Sequence, residues 1–232
     1  RAKGELIEAL PASGTAVLNA DDPRVAAMAS RTGADVITFG VDGEARVSDI
    51  VLDDAAVAEF SVDTPWGSGR VRLAVPGLHM VTNAAAALAV AGIVGVDLEA
   101  AIGALATAAV SGMRMEVTTA ASGATIVNDA YNANPTSMRA ALDALAAMRA
   151  DRHVAVLGLM AEIEDPEPTH RSIARYANEL GIELIAVGTA LYGIQPTDDV
   201  RSAIGDMDSD VAVLVKASRA AGLERVVVTL TG

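Results

Sequence analysis

Cysteine is absent from the 232 residues, which excludes a disulfide framework and a thiolate metal site and is consistent with a reducing cytoplasm. Long hydrophobic runs are also missing, because the longest, residues 84–96, is alanine-rich and too short to span a bilayer. Positive charge is scarce, and a net charge of −13 argues against nucleic-acid binding, which needs a basic face. We therefore expect a cytoplasmic protein without a membrane span and without a nucleic-acid partner.

Lysine is scarce as well. Of the 17 basic residues, only Lys3 and Lys216 are lysine and the other 15 are arginine. Genomic base composition could produce this bias. The alternative is that these two positions need a primary amine that can lose its proton, which arginine cannot do.

Two phosphate-binding motifs are missing from the chain. Neither GxxxxGK[ST] nor GxGxxG occurs, so an NAD-dependent dehydrogenase is disfavoured. The sequence also begins at Arg1, without an initiator Met or a signal-like segment. We expect it to be part of a longer protein.

Strand and helix signals alternate along the chain and predict an α/β fold. Period-two patterns between residues 45 and 75 predict an antiparallel insertion or sheet edge. From Glu116 onward, strands alternate with helices, which is typical of a doubly wound parallel sheet. The motif SGMR, residues 111–114, indicates a hinge. We therefore predict two domains, residues 1–110 and 111–232.

The polar stretch NDAYNANP, residues 128–135, follows the predicted strand TIV and precedes a predicted helix. Asn134 before Pro135 is a good N-cap followed by proline at the first helical position. Doubly wound sheets bind ligands outside the carboxyl ends of their strands, where a carboxylate such as Asp129 suits a ribose diol. The competing interpretation is that Asx turns only satisfy the loop backbone. The side chains expected in the crevice are Asn128, Asp129, Tyr131 and Asn132.

The segment NDAYNANPTSMRAAL, residues 128–142, resembles a signature of the Mur ligases, a family of bacterial cell-wall enzymes. Further segments occur in the order and spacing of that family: AKGEL, LNADDP, GLHMVTNAAAALA, SGMRME, THRSIA and LVKASRAAGLERV. The resemblance implies the later part of a central ATPase domain, followed by a Rossmann-like C-terminal domain. It also implies that the phosphate loop lies upstream of Arg1.

The resemblance further implies ATP-dependent amide formation. In the branch of the family with this signature, the carboxylate of a UDP-MurNAc-tripeptide attacks the γ-phosphate of ATP, assisted by Mg²⁺. The amine of D-alanyl-D-alanine then attacks the acyl phosphate. Positioning and electrostatics carry most of such a mechanism. We expect a monomer, and we expect this chain to be inactive alone.

Nucleotide contacts follow from the same resemblance. Asn83 is expected to contact adenine, with His79 one helical turn before it, and Arg114 is expected to reach the phosphate or ribose. Asp129 is expected to hold the ribose hydroxyls, so Asp129→Asn should weaken ATP binding and leave folding almost unchanged. Alternative roles are a helix-start residue for His79, a solvated cation for Arg114 and a turn former for Asp129. Tyr131 and Asn132 are expected to form walls of the site.

Substrate contacts are expected from Asn134, Lys216 and Ser218. Lys216 and Ser218 follow the predicted strand VAVLV and would meet the acyl phosphate or the amine, unless Lys216 is merely a surface lysine. Asn134 would line the dipeptide site, unless it only caps its helix. The family's GDM motif is replaced by Gly158-Leu159-Met160, so Glu162 receives no role.

Lys3 in AKGEL matches the lysine that Mur ligases carbamoylate, and the carbamate would help to hold Mg²⁺. Together with Arg114 and Lys216, it completes the set of candidate catalytic residues. The alternative is a solvated terminal lysine, which we expect in this chain because the phosphate loop is missing. Two other functions stay open: another Mur-type or folylpolyglutamate-type ligase, and a non-catalytic nucleotide-binding module.

Overall fold

The computed structural model describes residues 2–108 and 112–232, except for the side chains of residues 2 and 3. The described residues form two compact units. The first comprises residues 2–53, 57–74 and 78–108, and the second comprises residues 54–56, 75–77 and 112–232. The domain boundary predicted between residues 110 and 111 lies outside the described residues, as does Ser111 of the hinge motif.

The first unit contains a five-stranded sheet. Its strands are β1 (Thr15–Asn19), β2 (Asp35–Gly40), β3 (Ala45–Leu52), β4 (Val57–Thr64) and β5 (Gly67–Pro76), in that order across the sheet. β1 and β2 are parallel, whereas β3 and β4 are antiparallel. The antiparallel pairing confirms the prediction from the period-two pattern.

Helices of the first unit are α1 (Ala2–Glu8), α2 (Pro23–Ala26), α3 (His79–Ile93) and α4 (Leu98–Thr107), and a 3₁₀ turn spans Ala27–Arg31. α3 packs its small side chains and Leu88 against buried Phe60 and Val71 of the sheet. Alanine at this surface lets the helix approach the strands closely, and the burial of the larger side chains stabilises the contact.

The second unit contains the predicted doubly wound sheet. Its strands are β6 (Glu116–Thr119), β7 (Thr125–Asp129), β8 (Arg152–Leu157), β9 (Glu183–Ala186) and β10 (Val211–Lys216). The order across the sheet is β6-β7-β10-β8-β9. The last four of these are parallel, and β6 is an antiparallel edge strand.

Helices cover both faces of this sheet. They are α5 (Pro135–Ala146), α6 (Pro166–Glu179), α7 (Val200–Ile204) and α8 (Glu224–Thr231). Along β8, Ala155 and Leu157 pack with α5 and α6, whereas Val154 and Val156 pack with α7 and α8. Because both faces of the sheet are buried, the sequences of its central strands are continuous apolar runs. Within the described residues, no helix is both long and apolar enough to cross a membrane.

The strand register brings three chain segments to one edge of the sheet. Lys216, the last residue of β10, pairs with Asp129 of β7 on one side and with Leu157 of β8 on the other. Because these strands are parallel, the segments that follow them emerge side by side. This edge is where a doubly wound sheet binds its ligands.

Candidate functional site

The polar loop, residues 128–135, satisfies part of its own backbone. Asn134 caps α5, because its side-chain oxygen accepts the N–H of Ser137 at 2.9 Å. The hydroxyl of Ser137 accepts the N–H of Asn134 at 3.1 Å, which completes a capping box. Side-chain oxygens of Asn128 and Asn132 accept N–H groups of Ala130 and Ala133, at 3.3 and 2.8 Å respectively. Each of these asparagines therefore has a structural role, whether or not it also contacts a ligand.

Asp129 and Lys216 form a buried ion pair across the ends of β7 and β10. Nζ of Lys216 lies 2.5 Å from Oδ2 of Asp129 and donates to the carbonyl oxygen of Asn132 at 2.8 Å. The other carboxylate oxygen accepts the N–H of Met115 at 3.1 Å. The two side chains are only 2% and 14% exposed, for Lys216 and Asp129 respectively.

This geometry corrects one interpretation and changes one expectation. The interpretation of Lys216 as a surface lysine is wrong, because its side chain is buried beneath the polar loop. Removing the charge of Asp129 would leave that buried ammonium without its counterion, which is costly. Asp129→Asn is therefore expected to reduce stability as well as any ligand affinity. The contacts of Asp129 with ribose and of Lys216 with substrate remain predictions.

Arg114 and Tyr131 meet beside the polar loop. The guanidinium carbon of Arg114 lies 4.1 Å from the ring centroid of Tyr131, which is a cation–π contact. Met113 and Met115, on either side of Arg114, have φ angles of 64° and 50°, which are uncommon outside glycine. Hydrogen bonds from the N–H of Tyr131 to Met113 and from the N–H of Met115 to Asp129 hold this turn. The turn thus holds the exposed side chain of Arg114 against the exposed ring of Tyr131.

The β8 loop, residues 158–161, runs beside the polar loop. Ser218 joins the two: its hydroxyl accepts the N–H of Ala161 at 2.9 Å and donates to the carbonyl oxygen of Ala133 at 3.4 Å. Its own N–H donates to the carbonyl oxygen of Leu159 at 2.9 Å. Gly158 is required by close packing, since a Cβ atom there would lie 2.8 Å from that of Ala217.

A cavity of about 530 Å³ opens between the polar loop, the β8 loop and the segment after β10. Its lining residues are Tyr131, Asn132, Ala161, Glu162, Ser218, Arg219 and Ala220. The volume is within the range of about 300 to 1,000 Å³ that is usual for small-molecule sites. Three of the predicted site residues thus share one cavity. Sequence reasoning assigned Glu162 no role and did not point to Arg219, because no local signal relates two exposed charges so far apart in the chain.

His79 and Asn83 belong to the first unit and lie four residues apart on α3, so they share one face of the helix. His79 is the first residue of α3, as expected if it is only a helix-start residue, and its side chain is half-buried. Asn83 is exposed, and its amide nitrogen lies 3.5 Å from the sulfur of Met80. Their adenine contacts remain predictions.

The Mg²⁺ expected from the resemblance stays a prediction for residues 2–108 and 112–232. In this part of the chain no group of three or more His, Asp or Glu side chains is arranged to hold a metal ion. The side chain of Lys3, whose carbamate was predicted as a metal ligand, lies outside the described residues.

The doubly wound sheet, with its polar loop and cavity at the carboxyl edge, defines an α/β protein of the nucleotide-binding type. Residues 1–91 match the Mur ligase middle domain, and residues 113–230 match the Mur ligase glutamate ligase domain. The chain belongs to the Mur ligase family. This confirms the predicted family and fold class.

Several relatives within the family carry the name UDP-N-acetylmuramoyl-tripeptide–D-alanyl-D-alanine ligase. The chain is 41% identical to UDP-N-acetylmuramoyl-tripeptide–D-alanyl-D-alanine ligase of Mycobacterium tuberculosis, over 95% of this chain and 51% of the relative. It is 32% identical to the Escherichia coli ligase of the same name, over 98% of this chain and 54% of the relative. The chain thus spans about half the length of these relatives.

Solved structures of ligases named MurF share the fold. MurF from Acinetobacter baumannii superimposes with a TM-score of 0.86 at 29% identity, over 100% of this chain and 54% of that one. MurF from Thermotoga maritima, solved in complex with ADP, has a TM-score of 0.85 over 99% of this chain and 56% of that one. At 23% identity the latter likeness shows the fold alone.

Proposed function

We propose that the complete gene product containing this chain is an ATP-dependent ligase that joins D-alanyl-D-alanine to UDP-MurNAc-tripeptide. The polar loop beside the 530 Å³ cavity carries the proposal, in a chain 41% identical to a ligase of that name. We place the reaction in the cytoplasm, which the absence of cysteine supports, and take the protein to be a monomer.

Two steps make up the proposed reaction. The tripeptide carboxylate attacks the γ-phosphorus of ATP, which releases ADP and leaves an acyl phosphate. The neutral amine of the dipeptide then attacks the acyl carbon, phosphate leaves, and the nitrogen releases one proton to solvent to give the amide. The chemistry demands that both reacting groups be held in line and apart from water.

In the first unit, His79 and Asn83 are assigned to nucleotide binding. In the second unit, this assignment is made for Arg114, Asp129, Tyr131 and Asn132. Arg114 is well suited to bind phosphate, because its guanidinium is exposed and packs on the ring of Tyr131. Among the described residues, no carboxylate pairs with it. Asp129 keeps free lone pairs on both oxygens after accepting from Lys216 and Met115. A ribose hydroxyl could therefore still donate to it.

The cavity is assigned to the dipeptide. It combines the carboxylate of Glu162 and the guanidinium of Arg219 with the methyl groups of Ala161 and Ala220. A dipeptide of alanine is a zwitterion with two methyl side chains, so its charges and shape match this lining. Ser218 completes the polar part of the wall, and Asn134 and Lys216 hold the polar loop behind it.

Glu162→Gln tests this assignment. Removing the charge should raise the KM for D-alanyl-D-alanine by about tenfold, since a charge-assisted hydrogen bond is worth about 1.5 kcal/mol or more. The KM for ATP should not change. Glu164→Gln is the matched control, because Glu164 is exposed on the same segment and does not line the cavity. An equal KM for the dipeptide in both variants would reject the assignment.

A second ligase activity is considered because UDP-N-acetylmuramate–L-alanine ligase of Stenotrophomonas maltophilia is 37% identical over 66% of this chain. Phosphate release by the complete gene product, supplied with ATP, separates the two. We expect release with UDP-MurNAc-tripeptide and D-alanyl-D-alanine. Release only with UDP-MurNAc and L-alanine would reject the proposed function.

A further inference from the structure

The β8 loop forms one wall of the cavity but carries almost no polar side chain of its own. Its residues are Gly158, Leu159, Met160 and Ala161. Backbone N–H and C=O groups at a buried edge must find partners, and those of the β8 loop find them on residues distant in sequence. The backbone N–H of Ser218 donates to the carbonyl oxygen of Leu159, and the hydroxyl of Ser218 accepts the N–H of Ala161. His170 and Tyr192 serve the other two.

His170 on α6 is completely buried and uses both ring nitrogens. Nε2 accepts the N–H of Met160 at 3.0 Å, and Nδ1 lies 2.6 Å from the carbonyl oxygen of Pro166. A backbone N–H can only donate and a carbonyl can only accept, so these contacts require the neutral Nδ1–H tautomer. Burial lowers the pKa of His170, which favours the same neutral state.

Tyr192 completes the support. Its ring packs edge-on against the imidazole of His170, with centroids 4.8 Å apart and planes at 73°. Its hydroxyl donates to the carbonyl oxygen of Gly158 at 2.7 Å. The two side chains therefore fix the β8 loop at Gly158 and at Met160.

We propose that His170 is a positioning residue for the cavity. It does not line the cavity, but its hydrogen bond from the N–H of Met160 fixes the backbone path of the β8 loop. The path of this backbone determines the positions of Ala161 and Glu162 in the cavity wall. The inference rests on the proposed function in one respect, namely that the occupant of the cavity is D-alanyl-D-alanine.

A pair of variants separates positioning from packing. In His170→Gln the side-chain oxygen reaches the place of Nε2 and can still accept the N–H of Met160. In His170→Asn the amide reaches only the place of Nδ1, so it can bond Pro166 but leaves Met160 without its acceptor. Both variants replace the imidazole that packs against Tyr192, so both lose similar packing.

Steady-state kinetics of the complete gene product give the first readout. We expect the KM for D-alanyl-D-alanine to be about tenfold higher in His170→Asn than in His170→Gln, which corresponds to one lost hydrogen bond. The KM for ATP should be the same in both. Equal dipeptide KM values in the two variants would overturn the positioning role. Tyr192→Phe keeps the ring and loses only the bond to Gly158, so it should raise the same KM by a smaller factor.

Amide hydrogen exchange gives a readout that needs no substrate. Exchange at Met160 and Ala161 should be about tenfold faster in His170→Asn than in His170→Gln. Equal exchange at both amides would overturn the inference. If the unmutated protein formed no amide from any of the substrates, the proposed function would fall, and exchange at Ala161 would decide the positioning role alone.

Discussion

The polar loop and the β8 loop lie side by side at the same sheet edge, yet they are held in opposite ways. The polar loop bonds to its own asparagines, and α5 begins on Asn134 from within it. The β8 loop contributes backbone only and is held by Ser218, His170 and Tyr192. Side chains that shape a binding wall therefore need not belong to the segment that forms it.

Lys216 anchors the polar loop through a buried ion pair and a backbone contact, and its removal should have the largest effect. Lys216→Met keeps the volume but leaves the buried carboxylate of Asp129 without a counterion. We expect the free energy of unfolding to fall by about 3 to 5 kcal/mol. The urea unfolding transition of the complete gene product measures this loss.

The double variant Lys216→Met with Asp129→Asn is the control for that experiment. It removes the stranded charge, so its loss of stability should be clearly smaller than the sum of the two single losses. Strictly additive losses would mean that the two residues do not form an ion pair in solution.

Asp129→Asn alone should have the next largest effect. If the carboxylate holds the ribose hydroxyls, ATP should bind about tenfold to a hundredfold more weakly, since a charge-assisted hydrogen bond is lost. Stability should fall too, because Lys216 loses its partner. Lys216→Met is the matched comparison, as it also breaks the pair but keeps the carboxylate. Unchanged ATP affinity with weakened dipeptide affinity would move Asp129 into the amine site.

The contrast between the loops also explains what the sequence could predict. Helix caps and Asx turns depend on neighbouring residues, so the polar loop and the start of α5 are visible in NDAYNANP. The alternation of strand and helix signals likewise predicted the doubly wound sheet. Contacts between Lys216 and Asp129 span 87 positions and depend on β10 lying between β7 and β8. No local pattern encodes that order, so the ion pair, the contacts of His170 and the place of Glu162 in the cavity wall needed the structure.

Asn134→Ala tests whether the polar loop supports itself. Loss of the capping box should cost about 1 kcal/mol of stability. Asn134→Asp retains a capping oxygen and should unfold at nearly the same urea concentration as the unmutated protein. If Asn134→Asp kept its stability but raised the KM for D-alanyl-D-alanine, Asn134 would contact substrate in addition to capping α5. Unchanged stability in Asn134→Ala would contradict the observed cap.

The smallest effect is expected at the outer side of the polar loop, where Tyr131 holds Arg114. Both side chains are exposed, so the cation–π contact is worth about 0.5 to 1 kcal/mol. Tyr131→Leu removes the ring and frees the guanidinium to move. If Arg114 reaches the nucleotide, the KM for ATP should rise about two- to fivefold, which is that energy expressed as affinity. Tyr131→Phe keeps the ring face and should leave this KM unchanged. An equal rise of the KM for ATP in both variants would assign the effect to the hydroxyl of Tyr131. Nucleotide binding by Arg114 would then not depend on the aromatic ring.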